Sequence, residues 1–192
     1  MDLDGVLPTS HYVTRQARWI DAPPEVVWDA LHDVKLTGLP VTMALGAVRF
    51  LPVVLSGKGL GQLHDRPFLE ALPIPTLSSS PPESVVFGGV LQAWRLRGGE
   101  ESPELDADEL HAWIQPGWVK AAMDFRLTPS RGGTELSSET RVLATDPATR
   151  RRFGFYWLFV QPGSTAIRWE VLTAVQLRAE GGHPPVVLRV GR

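Results

Sequence analysis

The sequence predicts an α+β fold in which an antiparallel sheet packs against one long C-terminal helix. The first observation is a hairpin of two alternating strands, Val119–Leu127 and Thr134–Thr145, joined by a turn at Pro129–Gly133. The second is a stripe of apolar or small residues after Asp146-Pro147, at alternating spacings of four and three. The stripe consists of Phe153, Trp157, Val160, Ser164, Ile167, Val171 and Ala174. Such a stripe is typical of a helix lying lengthwise on a sheet.

The N-terminal part of the chain is predicted to contain the first strand. Residues 1–10 are expected to be a loose lead-in to the fold. The segment Ser10–Asp21 has the alternation of a strand, and Tyr12, Ala17 and Trp19 are its expected buried positions.

One or two short helices are predicted to follow this strand. Proline is tolerated in a first helical turn, so Asp21-Ala22-Pro23-Pro24 favours a helix start. Val27, Trp28 and Leu31 would form the buried face of that helix. The apolar segment Pro40–Leu55 is predicted as the second short helix or a cover over a pocket.

The middle of the chain is predicted to supply more antiparallel strands. The candidates are Phe68–Ile74, Ser84–Gln92, Trp94–Leu96 and Leu110–Gln115. Three connections are predicted as loops from their glycine, proline or acidic content, namely Ser56–Gly61, Pro73–Pro82 and Arg97–Asp108.

The two hairpin strands each have one apolar face and one charged face. The apolar face carries Ala121, Met123, Phe125 and Leu127 on one strand and Leu136, Ser138, Thr140, Val142 and Ala144 on the other. The pattern is typical of a half-solvated antiparallel sheet. On the charged face, cross-strand ion pairs are predicted among Asp124, Arg126, Glu139 and Arg141.

The C-terminal helix is predicted to be continuous with a kink, because the stripe keeps its phase across Pro162-Gly163. Gly181-Gly182 is the expected end of the helix. Residues 183–192 would form a tail in which Val186–Val190 adds an edge strand. We predict a single domain over residues 1–192, with its core at about 11–180.

Composition narrows the classes of function. The chain has 192 residues, 43% hydrophobic and 21% charged, as in ordinary globular proteins. No nucleic-acid partner is expected, because the formal net charge is −2 and phosphate binding needs a basic surplus. The basic run Arg150-Arg151-Arg152 is interpreted as a solvated face. The absence of cysteine excludes disulfides, a thiol nucleophile and thiolate metal sites.

A cytoplasmic location is expected, because Met1-Asp2-Leu3-Asp4 lacks a basic, apolar signal segment. The segment Pro40–Leu55 is strongly apolar, but Arg49 and Pro52 interrupt it. It is also shorter than the roughly 20 residues that a spanning helix needs, so no integral membrane association is expected. The oligomeric state is open between monomer and homodimer.

The sequence contains no motif for a metal, a phosphate loop or a hydrolase nucleophile. The five histidines are scattered without ligand spacing. The glycine-rich run Gly57–Gly61 lacks the spacing of a phosphate-binding loop, and no GxSxG motif is present. No cofactor, metal or catalytic residue is therefore predicted.

Several segments resemble the START-like (SRPBCC) superfamily, which includes polyketide cyclases and lipid-transfer proteins. They are Arg18–Trp28, Glu83–Val90, Pro116–Lys120, Ser137–Val142, Tyr156-Trp157 and Pro162–Ser164. The resemblance spans most of residues 11–180. It implies a helix-grip fold, with a curved sheet wrapped around the long helix, and an apolar ligand held in a cavity between them.

The hypothesis that follows is an apolar small-molecule partner, lipid or polyketide-like, bound between sheet and helix. The expected lining is mostly apolar with two hydroxyls, as in many ligand pockets. It comprises Val85, Phe87, Met123, Phe125, Ser138 and Thr140 from the sheet and Trp157, Ile167 and Val171 from the helix. The bland alternative is that these side chains simply fill the core.

Two further hypotheses remain open. One is an acid–base enzyme of the aromatase/cyclase type, with Tyr156 or His111 as the acid. The other is a protein-interaction module that exposes an apolar patch around Val41–Leu55. Arg168 and Glu170, on the long helix, are interpreted as residues that make surface pairs only.

Overall fold

The computed structural model describes residues 1–54, 66–95 and 101–181, with the backbone alone for 48–54. The helices are α1 (Leu3–Val6), α2 (Pro24–Asp33), α3 (Pro40–Val54), α4 (Ala107–Ala112) and α5 (Pro147–Ala179). The strands are β1 (Tyr12–Ile20), β2 (Thr76–Ser80), β3 (Ser84–Leu91), β4 (Val119–Ser130) and β5 (Gly133–Ala144). Some predictions fall outside the described residues, namely the loop Ser56–Gly61, the strand end at Leu96, the start of the loop Arg97–Asp108 and the tail strand Val186–Val190.

The five strands form one antiparallel sheet in the order β1-β5-β4-β3-β2. Helix α5 lies on one face of this sheet, which we call the inner face, with α2 beside it. Helices α1 and α4 cover part of the opposite, outer face. This is a helix-grip α+β fold, and it confirms the predicted fold class.

The main core lies on the inner face, between the sheet, α2 and α5. Val27 and Leu31 of α2 are fully buried there, together with Phe125 of β4 and Leu172 and Val175 of α5. Burial of such side chains contributes roughly 1.5–3 kcal/mol each. This cluster therefore fixes one end of α5 against the sheet.

A second core lies on the outer face. Leu3 and Val6 of α1 and Leu110 of α4 are buried against Val86 and Ala122 of the sheet. The N-terminal residues are thus not the loose lead-in that was predicted. The prediction of a half-solvated outer face is also wrong for β4, because Lys120, Ala122 and Asp124 are all buried.

Helix α5 agrees with the sequence in its course and its ends. The Asp146 carboxylate caps it by accepting hydrogen bonds from the amides of Ala148 and Thr149, both 2.9 Å. The helix continues through Pro162, and Gly181, which has a positive φ, follows the C-cap residue Glu180. Every member of the predicted stripe is buried or half-buried, so the stripe is the face that meets the sheet.

Four assignments in the middle of the chain are wrong. Trp94, predicted to start a strand, lies in a turn in which the Arg95 amide donates to the Gln92 carbonyl at 2.8 Å. Phe68–Ile74 contains a short 3-10 turn in place of a strand, whereas Thr76–Ser80, predicted as loop, pairs with β3. Leu110–Gln115 overlaps helix α4, whose start is fixed by reciprocal hydrogen bonds between Asp106 and Glu109. These segments are short, and tertiary contacts decide their conformation.

Two of the three predicted buried positions of β1, Ala17 and Trp19, are wrong, whereas Tyr12 is half-buried and packs against Phe153. Ala17 is exposed and Trp19 is 42% exposed, whereas Ile20 is fully buried. β1 is an edge strand, and the structure places Trp19 opposite the exposed Glu135 on the outer face. The indole N–H of Trp19 donates to the Ser130 carbonyl, 2.9 Å away. The inner face of β1 is therefore formed by the even-numbered residues, most of which are polar.

Candidate functional site

The six sheet residues predicted to line a pocket lie in two adjacent rows on the inner face. The Met123 row runs across the sheet through Thr14, Thr140, Met123 and Phe87. The Phe125 row, two residues along each strand, runs through Gln16, Ser138, Phe125 and Val85. Directly paired residues of an antiparallel sheet share a face, so the register alone brings these side chains together.

The side chains of the two rows differ in their exposure to solvent. In the Phe125 row, Ser138, Phe125 and Val85 are at most 3% exposed. In the Met123 row, Met123 and Thr140 are only half-buried, although they lie on the two strands nearest the middle of the sheet. Residues 163–167 of α5 are likewise all half-buried. The middle of the sheet–helix interface is thus less tightly closed than the main core.

The three predicted helix residues lie at different levels along α5. Trp157 belongs to an aromatic cluster at one end, with ring centroids 5.9 Å from Tyr12 and 5.6 Å from Phe153. Val171 is fully buried in the main core, about four turns or 21 Å further along. Ile167 lies between them and is half-buried. Trp157 and Val171 therefore mark the two ends of the interface.

The rows extend onto β1 through Thr14 and Gln16, which the sequence interpretation missed. The Gln16 amide group donates to the Thr165 carbonyl of α5 at 3.4 Å, linking strand and helix. Thr14 Oγ1, Gln16 Oε1 and Ser138 Oγ are buried, and none has a hydrogen-bond partner among the described residues. The interface therefore contains buried polar atoms whose hydrogen-bonding capacity is not satisfied by the described residues.

Arg168 is buried in this interface, at 6% exposure, so its interpretation as a surface residue is wrong. Its Nη2 donates to Thr140 Oγ1 at 2.6 Å. Its Nε and Nη1 are buried and have no partner in the part of the chain that the structure describes. Burial lowers the pKa of Arg168 to about 10, which still leaves the guanidinium charged at neutral pH.

The sequence does contain a signal for Arg168. It follows Ser164 by four residues and precedes Val171 by three, so it shares the phase of the apolar stripe. A cation within an apolar stripe is either buried or extends out past its neighbours, and Arg168 is buried.

Glu170 also has a different role from the one inferred. Its carboxylate accepts hydrogen bonds from the amides of Val41 and Thr42 at 2.6 and 2.7 Å, and from the Thr42 hydroxyl at 2.6 Å. The acid therefore fastens the first turn of α3 to α5. Further along α3, Leu45 approaches Gly163 closely enough that an added Cβ would lie 3.4 Å from Leu45 Cδ1.

The outer-face charges are paired within strands and with α1, which corrects the predicted cross-strand pairs. Arg141 contacts Glu139 at 2.6 Å and Asp4 of α1 at 2.7 Å. Arg126 lies 3.7 Å from Asp124. Burial raises the pKa of the Asp124 carboxyl, which accepts the Glu139 amide at 3.0 Å. A polar cavity of about 170 Å³ adjoins these residues, and their mutual pairing favours a structural role for the cluster.

The two residues nominated as acids lie on opposite sides of the sheet. His111 is exposed on α4, and its carbonyl accepts a hydrogen bond from the Lys120 ammonium at 2.6 Å. Tyr156 lies in α5 beside Phe153, with ring centroids 5.8 Å apart. They cannot serve one site. Within the described residues, no group of three or more histidine or acidic side chains is placed to hold a metal ion.

No protein-family model and no curated protein matches this chain. Among solved structures, TTHA0849 from Thermus thermophilus is similar at 17% identity and a TM-score of 0.36, over 88% of this chain and 98% of that one. MLL2253 from Mesorhizobium loti is similar at 15% identity and a TM-score of 0.39, over 85% of this chain and 96% of that one. CalU16 from Micromonospora echinospora is similar at 18% identity and a TM-score of 0.29, over 88% of this chain and 83% of that one. The fold assignment rests on the strand order and α5 themselves.

Among the helices that the structure describes, none is both long enough and apolar enough to cross a bilayer.

Proposed function

We propose that the protein binds an apolar small molecule, lipid or polyketide-like, between the inner face of the sheet and α5. The observation that supports this most is the half-buried state of Met123 and Thr140. Interior positions of a sheet under a helix are normally closed, because protein interiors pack as densely as organic crystals. Accessible apolar surface at this place is typical of a binding site.

The surroundings of Met123 suit an apolar ligand with one polar end. Phe87 flanks Met123 in the same row, and the half-buried Ile167 lies on the facing helix. Thr140 and Arg168 supply polar groups on one side only, towards β1. Helix α3 adjoins α5 through Glu170 and Gly163, and it would cover the ligand from the remaining side.

The two other hypotheses have less support. An acid–base enzyme would need a buried acid in the interface, whereas His111 is exposed on α4 and Tyr156 packs in the aromatic cluster at one end of α5. The interaction module needs an exposed apolar patch around Val41–Leu55, whereas Thr42, Met43 and Leu45, among the described side chains of α3, are half-buried. Binding of a small molecule is therefore the function that the geometry favours.

The first test is native mass spectrometry of gently purified protein, followed by titration with decanol as a neutral apolar probe. We expect decanol to bind, and Met123→Trp to weaken its binding at least about tenfold by filling the accessible space. Val13→Trp, on the outer face of β1, is the matched control and should bind like wild type. Absence of both a co-purified mass and decanol binding would refute the proposal.

A further inference from the structure

Among the described residues, two arginines lie on the inner face, and their surroundings differ. Arg18 on β1 donates to Gln176 and, at 2.6 Å, to Thr173, and its guanidinium lies 5.4 Å from the centre of the Trp169 ring. Arg168 donates to Thr140 alone among the described residues, leaving Nε and Nη1 buried without acceptors. Arg18 is therefore accommodated by the protein itself, whereas Arg168 is not.

No carboxylate in the described part of the chain forms an ion pair with Arg168. The nearest acid in sequence, Glu170, is engaged with α3. Glu139 and Asp124 lie on the outer face of the sheet, where they contact arginines of that face. A buried cation without a counter-charge is costly, because it loses its hydration without regaining an equivalent interaction. The described residues therefore supply no counter-charge for Arg168.

We propose that Arg168 binds the carboxylate of an amphiphilic ligand whose apolar body lies along the Met123 row beneath α5. Two independent features converge here. The free guanidinium nitrogens supply charged donors, and the unpartnered hydroxyls of Ser138 and Thr14 supply neutral ones in the adjacent positions of β5 and β1. Hydrogen bonds from a buried arginine to a carboxylate are among the strongest in proteins.

This inference rests on the proposed function and adds the chemical class of the ligand. Gln16 Oε1, buried and without a partner among the described residues, is an acceptor within the same set. The carboxylate of such a ligand would neutralise the charge of Arg168, and its apolar chain would cover Met123. A small inorganic anion would satisfy only the first of these requirements.

The test compares decanoate with decanol, two ten-carbon ligands that differ in the head group, by titration calorimetry. Wild-type protein should bind decanoate about tenfold to hundredfold more tightly than decanol. Arg168→Met, which keeps the length and removes the charge, should abolish this preference while decanol still binds. Arg168→Lys should retain part of it. Arg151→Met, exposed on the same helix, is the matched control and should behave as wild type.

The outcomes separate the two proposals. Equal affinity for decanoate and decanol, or the same preference in Arg168→Met and Arg151→Met, would overturn the role of Arg168 and leave the apolar site standing. Binding of neither ligand would overturn the proposed function as well. Competition by acetate as strong as that by decanoate would show a small-anion site and overturn the amphiphile. As a second readout, decanoate should raise the melting temperature of wild type more than decanol does, and the two ligands should stabilise Arg168→Met equally.

Discussion

The Glu170 carboxylate and Thr42 form a double contact, in which both the amide and the hydroxyl of Thr42 donate to Glu170 Oε2, at 2.7 and 2.6 Å. The other carboxylate oxygen accepts from the Val41 amide. The first amides of a helix have no partner within the helix, so an acid from α5 supplies the cap that α3 lacks in its own sequence. Glu170 therefore fixes the first turn of α3, and the packing of Leu45 near Gly163 and of Met43 on the main core holds the helix further along.

Glu170→Gln should loosen the start of α3. The amide group replaces an acceptor with a donor and removes the negative charge that favours a helix N-terminus. We expect the backbone amides of Val41 and Thr42 to exchange hydrogen about tenfold faster or more, measured by mass spectrometry. Glu135→Gln, an exposed acid on β5, is the control. Equal exchange in both variants would show that α3 is held by other contacts.

Gly133 at the start of β5 has no room for a side chain unless the backbone moves. A Cβ there would lie 2.3 Å from the Ile20 carbonyl oxygen and 2.9 Å from Trp19 Cζ2. Since the first of these atoms belongs to the backbone, the β1–β5 edge must shift to admit an alanine. Gly133→Ala should destabilise the fold by roughly 1–3 kcal/mol, the usual range for overpacking, in urea unfolding. Gly38→Ala, with open space around its Cβ, should be close to neutral.

Leu110 tests whether α4 is part of the folded core. Its side chain is fully buried on the outer face and lies against Gly88, where an added Cβ would be 2.8 Å from Leu110 Cδ2. Leu110→Ala should cost about 2–5 kcal/mol in the free energy of unfolding. Ile114→Ala, at 83% exposure, should change it by less than about 0.5 kcal/mol. A similar small effect for both would mean that α4 contributes little to stability.

The fold can be predicted from the sequence where one pattern of apolar and polar residues continues over a long segment. β4 and β5 alternate cleanly over a long run, so their inner faces, including Met123 and Ser138, follow directly from the period of two. β1 has polar residues on both faces, and only its pairing with β5 decides that Thr14 and Gln16 face α5. Their place in the site depends on register, which a single strand does not encode.

Short elements show a different limit. Leu110–Gln115 satisfies a weak strand pattern, yet the three-residue spacing of Asp106 and Glu109 is the signature of a helix start. The two helices on the outer face cannot be predicted for the same reason, because α1 and α4 are too short to show a helical period of apolar residues. Arg168 escapes it because the stripe is defined by its apolar and small members, and a charged residue in the same phase is not counted.

Asp146 is predicted to make the fold sensitive to acid. The Thr149 hydroxyl, at 2.5 Å, and the Gly117 amide, at 2.8 Å, donate to its carboxylate and hold its pKa well below the usual range. A depressed pKa contributes stability above the unfolded value of about 3.9 and loses it as the pH falls towards the folded one. Asp146 joins the start of α5 to the segment before β4, so both should loosen together in acid.

Asp146→Asn should therefore lower the melting temperature at pH 6, and the deficit relative to wild type should shrink as the pH falls from about 4 to 2. Asparagine keeps an acceptor oxygen but lacks the charge, so it resembles the protonated acid at every pH. Asp29→Asn, on the exposed face of α2, should follow the wild-type curve in thermal melts recorded by circular dichroism. A deficit for Asp146→Asn that stays constant over this pH range would show that the carboxylate charge contributes nothing, and that the cap acts through its geometry alone.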